Sequence, residues 1–141
     1  MKNYIHKVKY YETDKMGITH HSNYIRWMEE ARIALLSHIN LPYAKLEEQG
    51  VLIPVLTANC EYRLAFRFGE TFEISLIPIS FNGVKLFIGY EIRNSKTGAL
   101  HAKGETSHCF TDKEMRLLRL KKDYPEVYLG LLNWTMEQTN D

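Results

Sequence analysis

The chain has 141 residues, of which 45% are hydrophobic, and this length can bury a core without disulfides or metal ions. We therefore predict one domain over residues 1–141. Its 18 basic and 17 acidic residues are spread along the chain and give a net charge of +1, which argues against a nucleic-acid partner. The sequence shows neither a secretory leader nor an apolar stretch of membrane-spanning length, so we expect a cytoplasmic protein with no membrane span.

The cysteines and histidines indicate neither a disulfide framework nor a metal site. Cys60 and Cys109 form no CxxC pair, and the six histidines stand at no metal-ligand spacing relative to them. Free cysteines in such a setting behave as small core residues. We therefore expect two reduced, buried cysteines and no bound metal.

The first predicted elements are a strand, a polar loop and a long helix. Residues 4–10 are of strand-forming type and lead into a run in which Asp14, Gly17 and His21 stand just before an apolar helix. Apolar side chains then repeat every three or four residues from Ser22 to about residue 38, and Ser22 is the expected N-cap. Free N–H groups and a partial positive charge gather at such a helix start, so this loop is the candidate active site.

The rest of the chain is predicted to be rich in strands. A short helix over residues 43–49 ends at Gly50, and strands follow over residues 52–66, 71–80, 84–93 and 99–111. Asn82 and Gly83 predict a two-residue type I′ hairpin turn between the second and third of these strands. Residues 121–138 can form a C-terminal amphipathic helix. One strand, one wide-faced helix and an antiparallel meander predict an α+β fold in which a curved sheet wraps around one long central helix.

The loop and helix together carry a family resemblance. The spacing Asp14-x-x-Gly17-x-x-x-His21-x-x-Tyr24, followed by the run from Trp27 to residue 32, resembles the signature of the 4-hydroxybenzoyl-CoA thioesterase and YbgC-like acyl-CoA thioesterase family. The order of elements is similar over residues 4–120. The resemblance implies a hot-dog fold and the hydrolysis of an acyl-CoA to a free acid and CoA.

Thioester hydrolysis suits these residue types. It needs a carboxylate that attacks the carbonyl or activates water, which Asp14 supplies, and N–H donors near His21 that hold the developing oxyanion. Gly17 allows the loop to approach a ligand closely. The alternatives are structural: Asp14 as a turn residue and His21 as a polar cap. Three helix residues are candidates for the substrate pocket, or for the core: Tyr24, Trp27 and Met28.

The resemblance also implies how CoA is held. In that family the pantetheine and nucleotide lie along a subunit interface beside the hairpin that contains Asn82, Gly83 and Lys85 in this sequence. CoA is then part of the substrate, and no separate cofactor is expected. A homodimer or homotetramer with shared active sites is the expected assembly. An acyl-ACP thioesterase and a noncatalytic acyl-binding protein stay open as alternatives, and the acyl group is undefined.

Overall fold

The computed structural model describes residues 3–139, which form five strands and four α-helices. A 3₁₀ turn at Tyr10–Glu12 separates the first strand from the first helix. In chain order the elements are β1 (Tyr4–Lys7), α1 (Ser22–His38), α2 (Tyr43–Gln49), β2 (Val55–Tyr62), β3 (Thr71–Phe81), β4 (Lys85–Asn94), β5 (Leu100–Cys109), α3 (Leu120–Asp123) and α4 (Pro125–Thr139).

The strands form one antiparallel sheet in the order β1-β3-β4-β5-β2. Alternate residues of the central strands, such as Phe72, Ile74 and Ile92, are fully buried beneath α1. Because successive side chains of a strand point to opposite faces of the sheet, one face is directed to the core. The predicted α+β fold, with a curved sheet around one long helix, is confirmed.

Helix α1 lies close to the sheet because one glycine leaves room for it. A Cβ atom on Gly104 of β5 would lie 2.3 Å from Met28 Cε and 2.6 Å from the Asn59 carbonyl oxygen. Met28 therefore packs directly on the backbone of β5 and is completely buried. The helix buries one broad face that consists of Tyr24, Trp27, Met28, Ala31, Leu35 and Leu36.

Three local expectations are wrong. Ser22 is the first helical residue and His21 occupies the N-cap, because the His20 ring takes over the capping role. The connection between β3 and β4 is not a type I′ turn, since of its residues only Gly83 has a positive φ, +88°. The C-terminal helix begins at Pro125 rather than at residue 121, because proline favours the first turn and separates α4 from the short α3.

Strand β2 forms an open edge of the sheet. Within the described residues it pairs only with β5, and most of its side chains are exposed. Val55, Leu56 and Tyr62 each leave about half of their surface accessible. Both cysteines are free thiols, and Cys109 is buried as expected. The expectation of a buried Cys60 is wrong, because it lies on this edge strand and is only half-buried. No helix in residues 3–139 is long and apolar enough to cross a membrane.

Candidate active site

The loop between the 3₁₀ turn and α1 folds tightly around Asp14. The Asp14 amide donates to the Ile18 carbonyl at 2.9 Å, and the Gly17 amide donates to the Asp14 carbonyl at 3.0 Å. Gly17 adopts a φ of +77°, which a residue with a Cβ adopts only with strain. The Met16 amide donates to Asp14 Oδ1 at 2.8 Å. One carboxylate oxygen therefore closes the turn, and Oδ2 remains available for chemistry.

The far end of this loop is fastened to the segment before β3. The amide and the hydroxyl of Thr19 both donate to the Phe66 carbonyl, at 2.9 and 3.1 Å. Ile18 forms a β-bridge with Arg67 next to this contact. These bonds fix the loop against the sheet, so that Asp14 lies at a defined position beside the start of α1.

The start of α1 leaves one backbone donor unused. The Ser22 amide donates to His20 Nδ1 at 3.2 Å, the Asn23 amide to the His20 carbonyl at 3.1 Å, and the Tyr24 amide to the His21 carbonyl at 3.2 Å. Among the described residues, the His21 N–H has no hydrogen-bond partner. The helix macrodipole adds partial positive charge at this point. An oxygen atom bound at this point can accept one hydrogen bond, from the oriented N–H group of His21.

Asp14 and His21 line the same surface cleft, which has a volume of about 340 Å³. Tyr24 from α1 and Tyr62 from β2 form its aromatic wall, with ring centroids 4.8 Å apart. Burial raises the pKa of Tyr24 to about 12, so its phenol is neutral at physiological pH. The cleft thus has an acidic group, a backbone donor and an apolar wall within one concave surface.

The predicted site residues separate into two groups. The structure brings Asp14, His21 and Tyr24 to the cleft, and Gly17 shapes the loop that carries Asp14. Trp27 and Met28 are buried in the core and do not line this cleft. Their assignment to a substrate pocket stays a prediction.

The predicted CoA-binding hairpin lies at the other end of the sheet. Asn82 Oδ1 accepts the Val84 and Lys85 amides at 2.9 and 2.7 Å, and Tyr128 packs against Gly83. The Lys85 side chain is exposed. Strand β3 begins near the Asp14 loop and ends at this hairpin, and its 11 residues span about 33 Å. Within one chain the hairpin does not meet Asp14.

A buried glutamate supports the loop and was not singled out by the sequence. Glu12 Oε1 is 3.0 Å from His6 Nε2 and accepts the Lys9 amide at 2.8 Å, while Oε2 accepts the Trp27 indole N–H at 2.7 Å. Burial opposes the charged form, but these hydrogen bonds prevail and hold the pKa of Glu12 below its ordinary value.

The main chain of Glu12 also contributes to the position of the loop. Its carbonyl accepts the His20 amide and the Asn23 side-chain amide, both at 2.9 Å. Glu12 therefore joins β1, the loop and the first turns of α1. We name the set His6, Glu12 and Trp27 the Glu12 network.

No metal site is found in the part of the chain that the structure describes, where no three His, Cys, Asp or Glu side chains are grouped to hold an ion. His20 and His21 stack with ring centroids 4.3 Å apart, and the nearest polar contact of His20 is the Ser22 hydroxyl. These histidines therefore act at the helix start through the backbone and through capping.

The chain is similar to known proteins in sequence and in fold. Residues 8–134 match the family model described as the thioesterase-like superfamily. The putative acyl-CoA thioesterase YneP of Bacillus subtilis is 38% identical over 121 residues, which cover 85% of this chain and 87% of that protein. The acyl-CoA thioester hydrolase YbgC of Escherichia coli is 26% identical over 116 residues, or 82% of this chain and 87% of YbgC. A DHNA-CoA thioesterase from Staphylococcus aureus superposes with a TM-score of 0.91 at 27% identity, and the match covers 98% of this chain and 93% of that one.

Proposed function

The chain belongs to the thioesterase-like superfamily and is a thioester hydrolase, and we propose that it cleaves acyl-CoA thioesters to a free acid and CoA. The proposal rests on one observation above all: the Asp14 carboxylate and the unused His21 N–H line one cleft. Relatives named as acyl-CoA thioesterases support CoA as the acyl carrier.

In this proposal the start of α1 activates the thioester carbonyl. The carbonyl oxygen accepts the His21 N–H, and the helix macrodipole stabilises the negative charge that develops on it. The His21 side chain is exposed and stacks on His20, so its contribution comes from its backbone rather than from its imidazole.

Asp14 provides the second part of the chemistry. Its Oδ2 either attacks the carbonyl carbon or removes a proton from a water molecule that attacks. If Oδ2 attacks, the C–S bond breaks as an anhydride forms between the acyl group and Asp14, and water then hydrolyses this anhydride to the free acid and the Asp14 carboxylate. If Asp14 acts as a base, the water oxygen bonds directly to the acyl carbon and the C–S bond breaks. In both cases the thiolate of CoA leaves with the electron pair. A thiolate is a good leaving group, so no general acid is required.

We further propose that two copies share each active site. Strand β2 is an unpaired edge with exposed apolar side chains, and pairing it with β2 of a second copy would extend the sheet. In such an antiparallel pair the strands of the second copy run in the opposite direction to the equivalent strands of the first copy. The hairpin with Asn82, Gly83 and Lys85 would then lie at the same end as Asp14 of the first copy and could contact CoA. A cytoplasmic location suits the two free thiols.

The test is thiol release from short, medium, long and aromatic acyl-CoAs by the wild type and the Asp14→Asn variant. We expect turnover by the wild type and a loss of at least ~100-fold in the variant. Asp112→Asn is the matched control, because Asp112 also closes a turn through its side chain, with Oδ1 accepting the Glu114 amide at 2.9 Å. This control should retain full turnover.

Three results would contradict the proposal. If circular dichroism shows that the Asp14→Asn variant is unfolded, Asp14 has a structural role. If the folded variant retains full activity, Asp14 takes no part in the chemistry. A folded wild type that releases no thiol from any acyl-CoA would favour the alternatives, an acyl-ACP thioesterase or a noncatalytic acyl-binding protein.

A further inference from the structure

A second concave site lies along α1, at its C-terminal half. It is a cavity of about 110 Å³ between α1, α2 and the sheet, and its walls are mainly apolar, with residues such as Ile53, Leu86 and Ile88. Two basic side chains, Arg32 and His108, also line it. We name this site the distal cavity. Its combination of apolar walls and a cationic end is typical of a ligand pocket rather than of a packing defect.

A chain of hydrogen bonds leads to the distal cavity and has one direction. Arg32 Nη1 donates to the Tyr90 hydroxyl at 3.1 Å, because a guanidinium can only donate. The Tyr90 hydroxyl is 2.6 Å from Thr106 Oγ1, which is 2.8 Å from His108 Nε2. Tyr90 accepts from Arg32, and we assign its proton to the bond with Thr106 and the Thr106 proton to the bond with His108, an arrangement in which each hydroxyl both donates and accepts. We name these four residues the Arg32 chain.

This direction fixes the tautomer of His108. Its Nε2 accepts, so the proton of the neutral ring is on Nδ1. Burial, with the nearby Arg32 charge, lowers the pKa of His108 to about 4, which keeps the ring neutral. His108 is 1% exposed, and its Nδ1 has no hydrogen-bond partner in the described chain; the Pro54 carbonyl is near it without bonding geometry. The chain therefore ends in a buried, unused N–H donor beside the distal cavity.

Arg32 is equally without a charged partner. No carboxylate of the described residues lies within ion-pair distance of its guanidinium, and its one hydrogen bond goes to Tyr90. Glu29 lies at the exposed rim of the cavity but forms no ion pair with Arg32. A half-buried cation without an ion-pair partner in the described residues thus lines one small cavity, whose one carboxylate, Glu29, stands at its exposed rim.

The distal cavity and the cleft that contains Asp14 lie along the same side of α1. His21, Ile25, Glu29 and Arg32 follow each other at intervals of four, four and three residues and therefore project from one side of α1. His21 lines the cleft and Arg32 lines the cavity, about 16 Å apart along the helix. An acyl chain that starts at the cleft and follows this side of α1 reaches Arg32 after about this distance.

We propose that the distal cavity binds the far end of the acyl group and that it selects acyl chains that end in a carboxylate. The carboxylate accepts hydrogen bonds from the guanidinium of Arg32, and the apolar walls contact the last methylene groups. This inference rests on the proposed function, because it takes the thioester to lie in the Asp14 cleft.

The experiment compares two ligands that differ only at the far end of the acyl chain. These are the thioether analogues of suberoyl-CoA and octanoyl-CoA, which cannot be hydrolysed, and their affinities for the unmodified protein are measured by calorimetry. We expect the carboxylate-ended analogue to bind at least tenfold more tightly, which corresponds to about 1.4 kcal/mol. Equal affinities would overturn the inference.

Variants then assign the preference to the distal cavity. Arg32→Met should abolish the tenfold preference, Arg32→Lys should retain part of it, and Glu29→Gln should increase it. Arg26→Met is the matched control, because Arg26 is an exposed arginine of the same helix that does not line the cavity. A loss of affinity for both analogues in Arg32→Met, or dissociation of an oligomer on sedimentation, would overturn the inference and assign Arg32 to structure or assembly.

The readout is independent of turnover. A protein that prefers the carboxylate-ended analogue but hydrolyses no thioester would contradict the proposed function and keep this inference. A protein that hydrolyses acyl-CoAs but binds both analogues equally would contradict this inference and keep the proposed function.

Discussion

Two polar networks lie beneath α1, and they differ in how completely their hydrogen bonds are satisfied. On the side of β1, both carboxylate oxygens of Glu12 have partners, with His6 Nε2 at 3.0 Å and the Trp27 N–H at 2.7 Å. On the side of β5, the Arg32 chain ends at His108, where Nδ1 has no partner in residues 3–139. Both sets are largely buried, so burial alone does not account for the difference.

The difference indicates different roles for the two networks. A satisfied buried network stabilises one conformation, and the Glu12 network fixes the loop that carries Asp14. An unsatisfied buried donor costs free energy unless a ligand supplies the missing acceptor. The Glu12 side therefore positions the loop of the candidate active site, whereas the Arg32 side is the proposed site for the far end of the acyl group. The following predictions test this contrast.

The largest effect is expected from Glu12→Gln. The amide presents an N–H group toward a neighbouring donor, and it removes the charge that His6 and Trp27 contact. We expect the free energy of unfolding to fall by about 4 kcal/mol, as for other broken buried pairs. Chemical denaturation measures it, and the exposed Glu48→Gln is the control. A loss below about 1 kcal/mol would show that the network is not structural.

The pH dependence of stability separates the two networks. The pKa of His108 is lowered to about 4 in the folded protein, so the unfolded chain binds this proton first as the pH falls. The stabilisation is therefore complete above pH 6.5 and is lost between pH 6.5 and 4, about 3 kcal/mol in all. Glu12, whose folded pKa is lowered, keeps its contribution above its ordinary pKa and loses it as the pH falls from there through the folded value.

Denaturation curves across this pH range test the assignment. His108→Gln should flatten the loss between pH 6.5 and 4.5, and the exposed His38→Gln should leave it unchanged. If the wild type is equally stable at both pH values, His108 is not held neutral in the fold, and the direction of the Arg32 chain is wrong.

The contrast also explains how much the sequence could predict. The bounds of α1, the curved antiparallel sheet and the approach of Asp14 to His21 follow from local periodicity and from one motif. The Glu12 network could not be predicted from the residues, because its members come from a strand, a turn and a helix. A glutamate gives no local sign that it will be buried.

The Arg32 chain could not be predicted from the sequence either. In the sequence Arg32 is only the last residue of the run that carries the family resemblance, yet in the structure its guanidinium donates to Tyr90 on β4. Register decides this contact: Tyr90 lies opposite Gly104, and Thr106 opposite Ile88. A shift of one residue would place all of these side chains on the other face of the sheet, and a single sequence does not fix that register.

A smaller effect is expected when the Arg32 chain is broken in its middle. Thr106→Val removes the hydroxyl between Tyr90 and His108 and leaves both without their partner, whereas Thr106→Ser retains the hydroxyl. We expect a loss of about 2 kcal/mol for valine and well under half of that for serine. If the two variants are equally stable, the hydroxyl does not join Tyr90 to His108.

The smallest effect is expected at Gly17, where the Glu12 network and the backbone of the loop act on the same segment. Gly17→Ala adds a methyl group with ample space, since the nearest atom, Arg67 Nη1, is 4.0 Å away, but the φ of +77° strains it. We expect a loss of about 1 kcal/mol in stability. The control is Gly98→Ala, with a similar φ of +76° in a distant turn. Because Glu12 fixes the start of the loop and the bonds of Thr19 to Phe66 fix its far end, strain at Gly17 should displace Asp14 and reduce kcat, and Gly98→Ala should not. Equal kcat in the two variants would mean that the loop absorbs the strain without moving its carboxylate.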